Sequence, residues 1–300
     1  MSNRNLLFTL AFFGAGIFHL QAQDLLSSLD STAQPKREII QGTFKTSRIV
    51  IGQSIENPPA GNLLFIITHH FGAINTGYEN LFGLKQAAIR IGAEYGIIDH
   101  LAIGAGLNTD RNTWDGFVKF KLLRQSKGAK KIPLSISGFV NTAIYTNKWT
   151  NPDQKNYFTS RMTYTFELML ARKFGEVASL QIMPAMVHKN LVETSQDHND
   201  IFSIGAGGRI KLSHRVSVNA EYHWLLPDQI YSYNAYDSFS VGVDIETGGH
   251  VFQIFLTNSA GEYEQTILTE TQERWSKGGI FLGFNINRIF TIVQPKEFRK

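Results

Sequence analysis

The chain of 300 residues contains no cysteine, which excludes disulfides, thiolate metal sites and a lipidated cysteine anchor. Beyond its first two dozen residues it also lacks any apolar run near the ~20 residues that a transmembrane helix needs. No G-x-S-x-G elbow is present, which speaks against a lipase-type serine nucleophile. Nor does one sign of charge dominate: 29 Lys and Arg oppose 25 Asp and Glu, a formal net charge of +4. The basic residues are scattered, and their densest cluster (Lys127, Lys130 and Lys131) is short and falls in a predicted turn. That distribution argues against nucleic acid as a partner. For an exported chain it suits contact with anionic lipid or lipopolysaccharide.

What is present begins with an export signal. Arg4 supplies a positive start, residues 6–20 are apolar apart mainly from Gly14 and Gly16, and the small Ala22 precedes Gln23 and Asp24. This is signal-peptide grammar over residues 1–22, with cleavage expected after Ala22. A secreted chain without a helical span can still be a membrane protein, because a closed barrel satisfies every backbone group internally.

From Gly61 onward the chain alternates with period two. Along 202–212, Phe202, Ile204, Ala206, Gly208, Ile210 and Leu212 share one face, against Ser203, Gly205, Gly207, Arg209 and Lys211 on the other. Along 216–224, Val216, Val218, Ala220, Tyr222 and Trp224 oppose Ser217, Asn219, Glu221 and His223. Along 238–246, Phe239, Val241, Val243 and Ile245 oppose Ser238, Ser240, Gly242, Asp244 and Glu246. Helices cannot hold this phase. Tilted membrane strands need ~9–11 residues, whereas soluble strands average ~5–6. A soluble β-sandwich is the competing fold, and the strand length counts against it.

The same pattern places strands near 62–71, 87–96, 100–108, 114–123, 132–145, 157–172, 179–189, 201–212, 216–225, 237–246, 249–257 and 279–290, twelve in all. The expected fold is therefore all-β, a transmembrane antiparallel up-and-down β-barrel of about twelve strands over residues 61–290. Short and long connections alternate, as when tight turns face the periplasm and loops face outward. Trp114, Trp149, Trp224 and Trp275 all fall on the expected outer side. Ahead of the barrel, residues 23–60 read as a periplasmic or lumen-plugging segment, with a β-like run from Thr43 to Ile51 and a breaker at Asn57-Pro58-Pro59. Residues 291–300 read as a periplasmic tail.

Several stretches resemble the bacterial outer-membrane family known as domain of unknown function 5777. They are TFKTSRIVIGQSIE (43–56), THHFGAIN (68–75), FGLKQAAIRIGAEYGI (82–97), DGFVKFKLLRQSKGAKKIP (115–133), DIETGGHVFQIFLTNS (244–259) and FLGFNINRIF (281–290). The resemblance spans nearly the whole mature chain and implies an outer-membrane β-barrel; it brings no catalytic or ligand residues with it. Phe290 looks like the terminal aromatic residue of an outer-membrane assembly signal, which implies the barrel assembly machinery as a partner. Here Thr291 to Lys300 follow it.

The inward phase collects Arg90, Glu94, Lys119, Lys121, Arg161, Glu167, Arg209, Lys211, Glu221, His223, Asp244 and Glu246 as lumen-lining candidates. Six bases against five acids suggest internal ion pairs bracing the wall. The other reading is a narrow polar channel with weak selectivity, since a single-sign ring is missing. Gly92, Gly104, Gly106, Gly205, Gly207, Gly242 and Gly283 share that face. They either let the 39–60 segment approach closely or permit the coiling of the wall. His69 and His70, being adjacent, point to opposite faces and cannot chelate together. His198 beside Asp197 and Asp200 reads as a solvated acidic loop. No metal, cofactor or catalytic residue is expected. The loop 258–278, the longest connection, reads as a short amphipathic cap, a docking surface or an ordinary lid. The expected function is passage or binding of a small polar solute. The alternative is a scaffold that presents loops or docks a periplasmic protein.

Overall fold

In the computed structural model, residues 36–149 and 151–294 are described. The expected signal peptide, residues 23–35 of the lead-in and residues 295–300 of the tail lie outside the described residues. Twelve antiparallel strands close into one barrel. They are β1 (Asn62–Ala73), β2 (Ala87–Ile98), β3 (Leu101–Asn108), β4 (Thr113–Leu123), β5 (Ser135–Tyr145) and β6 (Met162–Phe174). The round continues with β7 (Ala178–Lys189), β8 (Asp200–Lys211), β9 (Val216–Leu225), β10 (Ser238–Thr247), β11 (His250–Thr257) and β12 (Phe281–Thr291). Each strand pairs with its sequence neighbour, and β12 returns to β1 through a register running from Phe281 opposite Ala73 to Thr291 opposite Asn62. No edge is left for another chain to pair with, which is the condition for crossing lipid with strands.

The period-two pattern is what chooses the two surfaces. Along β8, Phe202, Ile204 and Ile210 are exposed on the outside, while Ser203, Gly205, Gly207 and Arg209 are buried inside. Trp114 and Trp224 also face outward. Lipid replaces water at the outer face, so apolar side chains belong there and the polar ones collect inside. The inner face thus gathers the buried polar residues, together with an apolar patch that includes Phe117, Phe139, Met183 and Phe255.

The strand expected at 157–172 starts later, and the β-like run ahead of the barrel forms no strand. Phe158–Arg161 is a turn of 3-10 helix, so β6 starts at Met162 and Arg161 leaves the wall. The run Thr43–Ile51 is no strand; only an isolated bridge between Arg48 and Gln53 joins it to itself. Its backbone finds side-chain partners instead of a ladder. A separate small unit pairs Arg37–Ile39 with Ser126–Gly128, antiparallel, where Lys127 Nζ lies 3.1 Å from Glu38.

Candidate functional site

The site is the lumen, and two pieces of chain fill it. The first is residues 43–56. Being irregular and buried, it needs an acceptor or donor for each of its peptide groups. Wall side chains supply many of them. The carboxylate of Glu221 (β9) accepts the N–H groups of Val50, Ile51 and Gly52 at 3.1, 2.9 and 2.9 Å. Gln181 (β7) accepts from the Ile55 N–H at 2.7 Å and donates to the Gln53 carbonyl at 2.8 Å. Asn285 (β12) donates to the Val50 carbonyl at 2.8 Å, and Gln253 (β11) to that of Ile49 at 3.2 Å. Lys119 (β4) donates to Gln53 Oε1 at 3.0 Å, and Ser47 donates to Glu94 (β2) at 2.9 Å. Between these polar seats, Phe44, Ile49, Val50, Ile51 and Ile55 pack against Phe117, Phe139, Met183 and Phe255 of the wall. A dry cluster of that kind anchors the segment by area removed from water.

The second piece is the 258–278 loop, which carries a six-residue helix, α1 (Glu264–Thr269), buried along its whole length. A helix this short is not stable by propensity. Here Thr266, Thr269 and Thr271 hydroxyls donate back to the carbonyls of Tyr263, Gln265 and Ile267 at 2.8, 2.9 and 3.2 Å. Ile267 joins the same apolar cluster as the first segment, and Leu268 packs with Ala185, Val187 and Ile201. Read from sequence as a cap, a docking surface or an ordinary lid, this loop turns its apolar residues Ile267 and Leu268 into the barrel, which offers them the larger apolar contact. The two pieces meet where Arg48 pairs with Glu264, whose carboxylate also accepts from Gln53 Nε2 at 2.7 Å.

Ten of the twelve sequence-predicted residues have wall positions facing this filling, but they do not brace one another. Lys121 lies 3.6 Å from Glu56, and Glu246 pairs with Lys45. Both are contacts to the inserted segment, like those of Glu94, Lys119 and Glu221. Arg90 donates twice to Asp115, at 2.8 and 2.6 Å, the single ion pair between wall strands deep in the described lumen. Asp244 accepts from Gln253 at 2.9 Å and Ser217 at 3.3 Å. Arg209 is buried, as are Glu167 and His223, which keep one oxygen and both ring nitrogens without a hydrogen-bond partner. The two exceptions lie towards the ends. Lys211 ends β8, half-buried, and Arg161 sits outside the strands, donating to the Tyr145 carbonyl at 2.9 Å and lying 3.9 Å over the Trp149 ring. Apart from Arg90–Asp115, the ion pairs of the inward groups run from wall to inserted segment, Lys121 to Glu56 and Glu246 to Lys45.

The inward glycines divide in the same way. A Cβ at Gly207 would meet Ile49 Cδ1 at 2.6 Å, and one at Gly242 would meet Val50 Cγ1 at 3.3 Å, so these two admit the segment. Gly92 and Gly106 instead make room for the Arg90 guanidinium (2.6 and 2.4 Å), Gly104 for Phe117 and Gly283 for Phe255. Their role is to let large inward side chains lie flat against the wall.

At the outer mouth, Glu270 follows α1 and receives Arg111, Lys189 at 3.0 Å and Gln265 at 2.7 Å. Burial opposes its ionisation, but Lys189 and Arg111 together hold its carboxyl below the usual range. Nearby Glu262 is the contrary case: burial pushes its carboxyl up to about 8, and neither oxygen has a hydrogen-bond partner. Asp197 is taken up by loop structure rather than by a cation. It accepts from Thr194, Tyr231 and Ser232, and these bonds outweigh burial and keep it well below the ordinary carboxylate value. His69 and His70 do point apart, the first stacked on Phe284 and the second buried edge-on to Phe255.

Arg48, Gln53, Asp115, Gln181, Gln253 and Asn285 were missed, and Glu262 and Glu264 were read only as part of the 258–278 loop. Asp115, Gln181, Gln253 and Asn285 all lie in the inward phase of their strands, so the same period-two count finds them.

A family model described as a membrane-bound beta barrel domain, DUF5777, matches residues 44–290. The chain belongs to this family. The match starts with the inserted segment and ends on the last barrel strand, so the DUF5777 unit includes filling and wall together. A lipid-facing barrel of this kind is an outer-membrane protein. No curated protein matches the chain. Among solved structures it is similar to the NanC porin, with 10% identity over 77% of this chain and 100% of that one, at a TM-score of 0.47. It is also similar to the COG4313 outer membrane channel from Pseudomonas putida F1, with 11% identity over 79% and 98% of the two chains and a TM-score of 0.47. The P. putida toluene transporter TodX gives 10% identity over 77% and 88%, with a TM-score of 0.33.

Proposed function

We propose that the protein is a gated conduit or binding chamber for small polar solutes across the outer membrane, and that it acts without catalysis. The supporting observation is the manner in which the lumen is filled. Both inserted pieces are held by side-chain contacts, and among the described residues no strand ladder ties either of them to the wall. Around them the wall carries buried polar atoms of Ser137, Asn141, Thr165, Glu167 and Ser203 that have no protein hydrogen-bond partner. Such atoms are suited to water or to a passing polar solute. Polar cavities of about 490 and 230 Å³ flank the filling, one among the long loops and one beside Asp99 and Arg124 at the short turns.

In this reading residues 43–56 of the N-terminal segment act as the plug, and lipopolysaccharide and the barrel assembly machinery are the surroundings of the outer girdle and of insertion. Single-channel recording tests it. The full chain is expected to stay mostly closed and a deletion of residues 24–60 to show open steps. A deleted barrel that folds yet remains closed overturns the plug. Silence of both forms together with a co-purifying periplasmic protein replaces the conduit with the scaffold reading.

A further inference from the structure

Around Glu270 the outer mouth has the construction of an anion receptor that is already occupied. Its two cations come from different elements: Arg111 from the connection between β3 and β4, Lys189 from the end of β7. Both converge on one carboxylate, and Lys189 Nζ also lies 3.2 Å from the Tyr233 hydroxyl, which in turn donates to the Thr269 carbonyl at 3.0 Å. Arg111 is held there at a conformational cost. It and Asn112 are consecutive non-glycine residues with φ of 52° and 48°, in the left-handed region. Strain of that sort persists where the surroundings demand it, and it clusters at ligand clamps. Access is open: the Arg111 side chain is 43% exposed, Glu270 only 8%, and both line the cavity of about 490 Å³. Ser160, Thr163, Ser232 and Gln272 give that cavity further hydrogen-bonding groups.

Glu270 is also the end of the inserted helix, because its N–H closes the last turn of α1 on the Thr266 carbonyl at 3.0 Å. What holds its carboxylate therefore tethers the helix to the wall. We propose that this mouth binds a small carboxylate-bearing solute, which competes with Glu270 for Arg111 and Lys189 and so releases α1 from the lumen. The ligand class follows from the group now in the site: two cations converge on a single carboxylate, and a planar guanidinium recognises that shape. A neutral polyol can use the hydroxyl-bearing walls of the cavity but has nothing with which to displace Glu270. Solute binding then shifts the population towards an undocked helix, because only that state offers both cations. The binding step stands by itself; the opening that follows rests on the conduit reading.

The test uses the full mature chain in detergent, with glucuronate as the anionic probe and glucose as its neutral counterpart, measured by equilibrium dialysis. Glucuronate is expected to bind about tenfold more tightly than glucose or better. R111Q should remove that preference. E270Q, which deletes the internal competitor while keeping the shape, should strengthen glucuronate binding, a gain that a purely structural Glu270 does not produce. Hydrogen exchange over 264–269 should speed up on adding glucuronate and not glucose. Equal binding of the two sugars, weakened binding in E270Q, or exchange indifferent to glucuronate each overturn the proposal. If glucuronate binds and frees α1 but every form is silent in bilayers, the conduit falls and this receptor stands. If the 24–60 deletion conducts but glucuronate neither binds nor frees the helix, the receptor falls and the conduit stands.

Discussion

Residues 43–56 and the helix α1 occupy the same lumen but satisfy their backbones in opposite ways. The first piece makes only two backbone-to-backbone hydrogen bonds of its own, Ile49 to Gly52 and Ser54 to Ser47 at 3.0 and 2.8 Å. Its own side chains add a few more, Glu56 accepting from the Thr43 N–H at 2.7 Å and Ser54 donating to the Thr46 carbonyl at 2.6 Å. The backbone groups of residues 49–55 that are left over are met chiefly by the wall, through Glu221, Gln181, Gln253, Asn285 and Lys119. The second closes its own helical turns and caps its own carbonyls with threonine hydroxyls, so its ties to its surroundings run mainly through side chains, the Tyr233 hydroxyl on the Thr269 carbonyl being the exception. A segment seated through its backbone is fixed residue by residue and is disturbed by single changes in the wall. A helix that carries its own hydrogen bonds can leave and return as a unit, because little backbone is stranded when it moves. The N-terminal segment is thus the more firmly seated piece of the filling, and α1 the one more readily released as a unit.

The largest expected effect tests the first half of that contrast. Glu221→Ala strands three buried N–H groups; at ~2 kcal/mol each, the loss is about 6 kcal/mol of seating for residues 50–52. Hydrogen exchange at those amides should rise steeply while α1 keeps its protection. Unchanged exchange at 50–52 would show that the wall side chains do not hold the segment.

A smaller effect, but one shared by both pieces, is expected from Glu264→Ala. It leaves Arg48 buried without its ion partner and Gln53 without its acceptor, a loss of about 3–5 kcal/mol. Combined with Arg48→Ala in a double-mutant cycle, it should give strong coupling. Additive losses would mean that the two pieces sit in the lumen independently.

The smallest effect is a pH dependence confined to the loop. Because burial pushes the Glu262 carboxyl up to about 8, the docked loop holds a proton that the free loop, at the ordinary value of 4.5, releases. Docking is therefore strongest below 4.5 and weakens as the pH rises through about 8. After correction for intrinsic rates, exchange over 263–269 should quicken between those values and lose its pH dependence in Glu262→Gln. An equal response at residues 50–52 would erase the distinction between the more firmly seated piece and the more readily released one.

The barrel wall was legible because each strand repeats its message every second residue. The windows 201–212 and 216–225 lie within a residue of β8 and β9, and the alternation of turns and loops follows from the even strand count. Arg161 was misplaced because phase alone does not say where a strand ends, and Phe158–Arg161 keeps the parity while turning. The filling was much less legible. Thr43–Ile51 has the composition of a strand, yet the partners that decide its conformation are Glu221, Gln253 and Asn285, distant in sequence by 170 residues and more. Six residues of α1 are too few to display a helical period, so Ile267 and Leu268 gave no sign of facing inward.

Period and polarity separate the lipid-facing residues from the lumen-facing ones, and with them set the fold, since these are local properties that any closed sheet must obey. What the inward charges do is settled by packing in three dimensions. Whether Lys119, Glu94 and Glu221 brace the wall, line an open pore or hold an inserted segment depends on which opposite charge or peptide group comes nearest. In a closed barrel, that neighbour is supplied by chain remote in sequence.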